Sequence, residues 1–161
     1  MFTIADICDI AVQIEQNGEA TYRKAAANCS DTGLADLLNR MANEEGQHAK
    51  WFRNLNQSRE VSDTEQQEME SMGRDLLREM VKDQTFSLDA DKLSNAENLR
   101  AFLEQSIAFE HDTVVFYEML QGFIEDAQVR FQLDRIIAQE RDHIHQIQTL
   151  KTSKLNGISR S

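Results

Sequence analysis

The sequence predicts an all-α fold: four long helices folded as two hairpins. Three observations predict it. The 161 residues include no proline and only 6 glycines, whereas folds rich in strands and tight turns draw on both. Apolar residues recur every three or four positions through four long stretches, the spacing that lines one face of a helix. The first half of the chain also returns in the second at a constant offset of 95. Glu15 falls on Glu110, Tyr22 on Tyr117, Leu38 on Leu133, Arg40 on Arg135, Glu45 on Glu140, His48 on His143 and Leu55 on Leu150.

The first helix is expected at 3–28, with the seam Ile4, Cys8, Ala11, Glu15, Gly18, Tyr22 and Ala25. The stretch Asn28 to Gly33 carries turn and cap residues, and Ser30 or Asp31 suits the N-cap of the next helix. The second helix is expected at 32–56, through Leu34, Leu38, Met41, Glu45, His48, Phe52 and Leu55. A long acidic connection, 56–94, follows. Met69, Met72, Leu76 and Met80 recur there at helical spacing, which predicts an extra helix at 63–84. At ~1.5 Å per residue it is about 33 Å long, enough to carry the chain from one end of a bundle to the other. The third helix is expected at 95–123, through Leu99, Leu103, Ser106, Glu110, Thr113, Tyr117 and Leu120. After a weaker break at Gly122–Asp126 comes the fourth, 126–152, through Val129, Leu133, Ile136, Glu140, His143, Ile147 and Leu150. A polar, frayed tail is expected from Lys151 to Ser161. The whole is expected to form one domain, 1–161.

Charge and cysteines narrow the function. The formal net charge is −11, which argues against nucleic acid and anionic membranes as partners and is compatible with attracting cations. The N-terminus carries Asp6 and Asp9 and no early Lys or Arg, and no apolar run approaches the ~18 residues of a membrane span. A cytoplasmic protein is expected. Cys8 and Cys29 lie about 30 Å apart along one helix, out of disulfide reach. The absence of any CxxC excludes a rubredoxin-type centre in this sequence.

The seams contain a contradiction that carries the chemistry. Faces that should be apolar hold Glu15, Glu45, His48, Glu110, Glu140 and His143. A buried carboxylate without a partner costs several kcal/mol, and these seams contain no Lys or Arg to pair with it. Folding each hairpin at its turn sets Glu15 opposite Glu45 and Glu110 opposite Glu140. Each acid then sits about 22 Å from its turn, so all four meet at one height. In each ExxH the Glu and His are one helical turn apart on the same inward face. A Glu from two helices and a Glu-x-x-His from the other two is the donor set of dinuclear carboxylate sites. Two divalent ions balance four carboxylates with neutral histidines. Oxygen donors with imidazole suit iron, with manganese or zinc as substitutes.

The stretches IEQNGEATYRKAA and NEEGQHAKWF, repeated as FEHDTVVFYEML and AQERDHIHQI, resemble the rubrerythrin branch of the ferritin-like family over about 3–57 and 97–152. The resemblance implies a di-iron crossover bundle and an oxidoreductase in which ferrous iron reduces hydrogen peroxide or dioxygen. It implies that Glu15, Glu45, His48, Glu110, Glu140 and His143 are metal ligands and catalytic. Two departures stand out. No rubredoxin-type cysteines feed electrons to the site, so an external donor such as a rubredoxin-like protein is expected. The additional Glu that rubrerythrins carry one turn after the third-helix ligand is Thr113 here, with Asp112 beside it. That makes the site more symmetric, nearer to the ferroxidase centre of bacterioferritin-like proteins. Ferroxidase activity in iron storage or delivery is therefore the alternative function, and a non-catalytic binding module stapled by metal is a third. A homo-oligomer, a dimer, is expected. Tyr22 and Tyr117, at equivalent seam positions, and Asp112 are expected to support the ligands by hydrogen bonding. His111 and His145 are expected at the surface, Arg40 and Arg135 either paired with acids that flank the ligands or in surface salt bridges, and Trp51 in hydrophobic packing.

Overall fold

A computed structural model describes residues 4–56 and 96–158, which form four helices and no strand. These are α1 (Ile4–Ala27), α2 (Thr32–Asn56), α3 (Ala96–Gln121) and α4 (Ala127–Ile158). They pack as a four-helix bundle. The helix expected at 63–84 lies outside the described residues.

The turns are made as the local chemistry requires. At the first turn the Asn28 and Cys29 amides bond back to carbonyls of the last turn of α1. Asp31, not Ser30, caps α2: its Oδ1 accepts the Leu34 amide at 2.9 Å. Asp126 does the same for α4, accepting the amides of Gln128 and Val129 at 2.9 and 3.1 Å. The fourth helix runs to Ile158, six residues beyond the expected end, so the tail expected to fray from Lys151 is helical for most of its length. No proline interrupts it, and Lys151 is held to Glu104 of α3 at 3.1 Å.

Side chains that meet across the bundle fix its topology. Tyr22 of α1 reaches Glu110 of α3, and Tyr117 reaches back to Glu15. Rising numbers in α1 thus meet falling numbers in α3, so these helices are antiparallel. The pairs His48–Gln139 and Glu44–His143 show the same for α2 and α4. Helices α2 and α3 therefore run in the same direction, so Asn56 and Ala96 lie at opposite ends of the bundle. This is the crossover connection rather than simple up-down-up-down.

Two apolar clusters plug the bundle on either side of its middle. One gathers Ile7, Cys8, Phe52, Phe116, Tyr117 and Leu133. The other gathers Tyr22, Leu34, Leu38, Met41, Phe102 and Ile147. A large apolar side chain buried in this way contributes roughly 1.5–3 kcal/mol. Between the plugs lies a layer with almost no access to water. No described helix is long and apolar enough to cross a membrane.

Candidate metal centre

That middle layer holds Glu15, Glu45, His48, Glu110, Glu140 and His143, none more than 3% exposed. Each helix delivers its residues by periodicity alone: one acid from α1 and α3, an acid and a histidine one turn apart from α2 and α4. The donor atoms form two overlapping groups. Glu15, Glu45, His48 and Glu140 make one; Glu45, Glu110, Glu140 and His143 make the other. Within each group one donor atom per residue lies within 4.8 Å of the rest. Glu45 and Glu140 belong to both groups and are the residues that two ions would share. Glu15 with His48, and Glu110 with His143, occupy the ends.

The imidazoles face inward through Nδ1. His48 Nδ1 lies 2.8 Å from Glu140 Oε1 and 3.4 Å from Glu15 Oε2. His143 Nδ1 lies 3.2 Å from Glu140 Oε2, 3.4 Å from Glu45 Oε1 and 3.6 Å from Glu110 Oε1. The outer nitrogens are gripped from the opposite hairpin. His48 Nε2 sits 2.6 Å from Gln139 Oε1, and His143 Nε2 contacts the Glu44 carboxylate. The tyrosines cross over too. Tyr22 donates to Glu110 Oε1 at 2.8 Å and Tyr117 to Glu15 Oε1 at 2.5 Å, both buried. Each hydroxyl thus fixes an acid of the other hairpin.

The electrostatics are those of a cation site held together by protons. Burial and the charges of Glu140, Glu15 and Glu110 push Glu45 well above the usual carboxylate range. Burial and the charge of Glu140 push Glu110 up to about 8. Burial would lower His48 and His143, but their carboxylate neighbours outweigh it and raise them to about 11 and about 12. Burial also pushes Glu15 up; the proximity of Glu45, His48 and Tyr117 more than offsets this and holds it below its ordinary value. Burial, followed by the charge of the acid each one contacts, drives both tyrosines well above 10, so the hydroxyls keep their protons.

Four carboxylate oxygens in this layer, Glu15 Oε2, both of Glu45 and Glu110 Oε2, are buried with no hydrogen-bond partner. A buried acceptor left so costs about 1–3 kcal/mol, more when charged. The residues therefore fit a pair of divalent cations, which would satisfy all four atoms. Oxygen donors with one imidazole at each end suit iron, manganese or zinc.

Of the remaining expectations, Asp112 is half-buried and takes no part in either group of donors. Thr113, one turn past Glu110, is fully buried, and its hydroxyl donates to the Phe109 carbonyl at 2.8 Å. No carboxylate thus reaches the site from that position, and Asp112 does not substitute, because α3 carries no bulge that would turn it inward. His111, His145, Arg40 and Arg135 are exposed, and Trp51 packs edge-on against Phe52, ring centroids 5.0 Å apart. Gln139 is the residue that sequence reasoning missed. The signal was present: it precedes Glu140 as Glu44 precedes Glu45, at the same offset of 95.

Comparison with known proteins agrees with this geometry. The chain has the fold of a crystallised Thermotoga maritima protein described as ferritin-like diiron-carboxylate. The TM-score is 0.70 at 17% identity, over 95% of this chain and 97% of that one. No curated protein matches significantly. The rubrerythrin family model matches residues 6–151, and the chain belongs to the rubrerythrin family.

Proposed function

We propose that this protein is a di-iron oxidoreductase that reduces hydrogen peroxide or dioxygen at the buried six-residue layer. The observation that carries the reading is the set of four orphaned carboxylate oxygens facing two inward imidazoles in a water-poor layer. Ferrous ions bound there would supply two electrons and Lewis acidity to an oxygen species. The residues of the chain do the rest. Glu45 and Glu140 would be shared by the two ions, Glu15 and Glu110 would hold one each, and each histidine would add its Nδ1. Tyr22 and Tyr117 hold the terminal carboxylates in place and keep protons at their Oη atoms beside the site. The apolar plugs keep bulk water from the reacting layer. Re-reduction needs an external donor, because neither cysteine belongs to a CxxC.

One observation favours the second reading, ferroxidase activity in iron storage or delivery. Thr113 occupies the place of a further carboxylate, so each hairpin supplies the same three donor residues, two glutamates and a histidine. The experiment that separates the readings is anaerobic reconstitution with Fe²⁺, metal analysis, and oxidation by peroxide or oxygen. We expect about two irons per chain, as the charge balance of four carboxylates implies, oxidised faster by peroxide. Faster oxidation by oxygen would move the assignment to ferroxidase. No bound iron in a folded helical protein would overturn both.

A further inference from the structure

We propose that the two metal positions are unequal: the one ended by Glu110 and His143 fills first, because Glu44 grips His143 where only Gln139 grips His48. The inference rests on the dinuclear reading above and adds an order of filling that the repeat alone does not contain. The six donors and the two tyrosines match at the offset of 95, whereas Glu44 and Gln139 differ in charge at the same register.

The physical reason lies at the outer nitrogen. With Nδ1 turned inward to the acids, each ring presents Nε2–H outward, and the acceptor there sets how much electron density reaches Nδ1. A carboxylate acceptor makes the ring a stronger donor to a cation than a neutral amide does. Glu44 is the carboxylate, on His143; Gln139 Oε1 is the amide oxygen, 2.6 Å from His48 Nε2. The tyrosines act in the same direction. Tyr117 donates to Glu15 at 2.5 Å and Tyr22 to Glu110 at 2.8 Å, so the acid at the His48 end gives up more of its charge to a hydroxyl. Outer partners of metal-bound histidine typically change affinity by about 10–100-fold. The Glu44 side chain is 39% exposed and water screens part of its charge, so the lower end, about tenfold, is expected.

The test uses Co²⁺ as the probe on the full chain. Calorimetry should show two binding steps separated by about tenfold. Crystals prepared with one equivalent should show an anomalous peak beside His143. Glu44→Gln should bring the two steps together, and Gln139→Glu should strengthen the weaker one. Because the second change is a gain, misfolding cannot imitate it. The double swap, Glu44→Gln with Gln139→Glu, should move the first peak to His48. Equal peaks at both positions, a first peak at His48 in the natural protein, or an order unmoved by the swap would overturn the inference while leaving the dinuclear reading intact. No Co²⁺ bound to folded protein would overturn both.

Discussion

The two hairpins present the same three donors, two glutamates and a histidine, at the same register, yet the backbones of α1 and α2 approach more closely along their length than those of α3 and α4. Glycine accounts for much of this. Gly18 and Gly46 face the neighbouring helix in the first hairpin; the corresponding positions in the second are Thr113 and Arg141. A Cβ on Gly18 would lie 3.3 Å from the Glu45 carboxylate, and one on Gly46 would lie 3.0 Å from Glu19 Oε2. In the second hairpin Thr113 turns its hydroxyl to its own helix, and Arg141 leaves the interface to pair with Glu118 at the surface. The difference teaches that the donor skeleton is the same in both halves, while the residues behind it differ in size and charge.

The largest expected effect breaks the equivalence of bridging and terminal acids. Glu45→Ala or Glu140→Ala removes a donor common to both groups and should abolish binding at both positions. Glu15→Ala or Glu110→Ala removes one end and should leave about one ion per chain, since two groups share only the bridges. Metal analysis after dialysis checks this. Equal losses from all four variants would sink the division into bridges and ends.

Next comes pH. In the metal-free protein His48 and His143 keep their protons to about 11 and about 12, against an ordinary 6.5. Glu110 keeps its proton to about 8, against 4.5. Between each pair of values the folded state holds more protons than the unfolded one, so metal-free stability falls as pH rises. Glu15, held low, acts in the opposite sense only below its ordinary 4.5. Metal binding runs against this trend, because cations displace those protons and bind more tightly as pH rises. The gap in Tm between metal-loaded and chelator-treated protein should widen from pH 6 to pH 9. A constant gap would contradict the proton-held layer.

Much of this site was legible because it violates a pattern. An acid in an apolar seam is visible in one dimension, and two hairpins folded at their turns bring 15 opposite 45 and 110 opposite 140 without further information. Gln139 was not legible for the complementary reason. It lies on an exposed position of α4, where glutamine needs no explanation, and its contact with His48 depends on the register between hairpins. The extent of α4 escaped for another reason: its polar end gives no apolar periodicity, while the contact that holds Lys151 to Glu104 joins different helices. The topology, by contrast, was inferred from the length of the connection and is independently required by the crossed pairs Tyr22–Glu110 and Tyr117–Glu15.

The tyrosines offer a finer comparison at about neutral pH. Glu110, raised to about 8, is mostly protonated there, so the bond from Tyr22 joins neutral groups. Glu15 is held low and ionised, so the bond from Tyr117 is charge-assisted. Such bonds are worth about 0.5–1.5 and about 1.5–3 kcal/mol respectively. Chemical denaturation of the metal-free variants should therefore rank Tyr117→Phe as the more destabilising. An equal cost, or the reverse order, would show that the two acids do not differ in charge.

The smallest effects separate the two glycines. Alanine inside a helix is worth about 1 kcal/mol over glycine by backbone entropy alone, so each change begins with a gain. At Gly46 the obstacle is the far end of Glu19, a half-buried side chain free to swing towards solvent. Gly46→Ala should keep most of that gain, raising metal-free stability by about 0.5–1 kcal/mol, with little change in metal affinity. At Gly18 the obstacles are Glu45 itself and, at 3.4 Å, the Phe109 ring, both confined by the core. Overpacking there costs about 1–3 kcal/mol and shifts a bridging carboxylate, so Gly18→Ala should lose the gain and weaken metal binding. Urea melts and Co²⁺ titrations of the two variants decide between these outcomes. If Gly18→Ala binds metal as tightly as the natural protein, the space beside Glu45 serves helix packing alone and not the bridge.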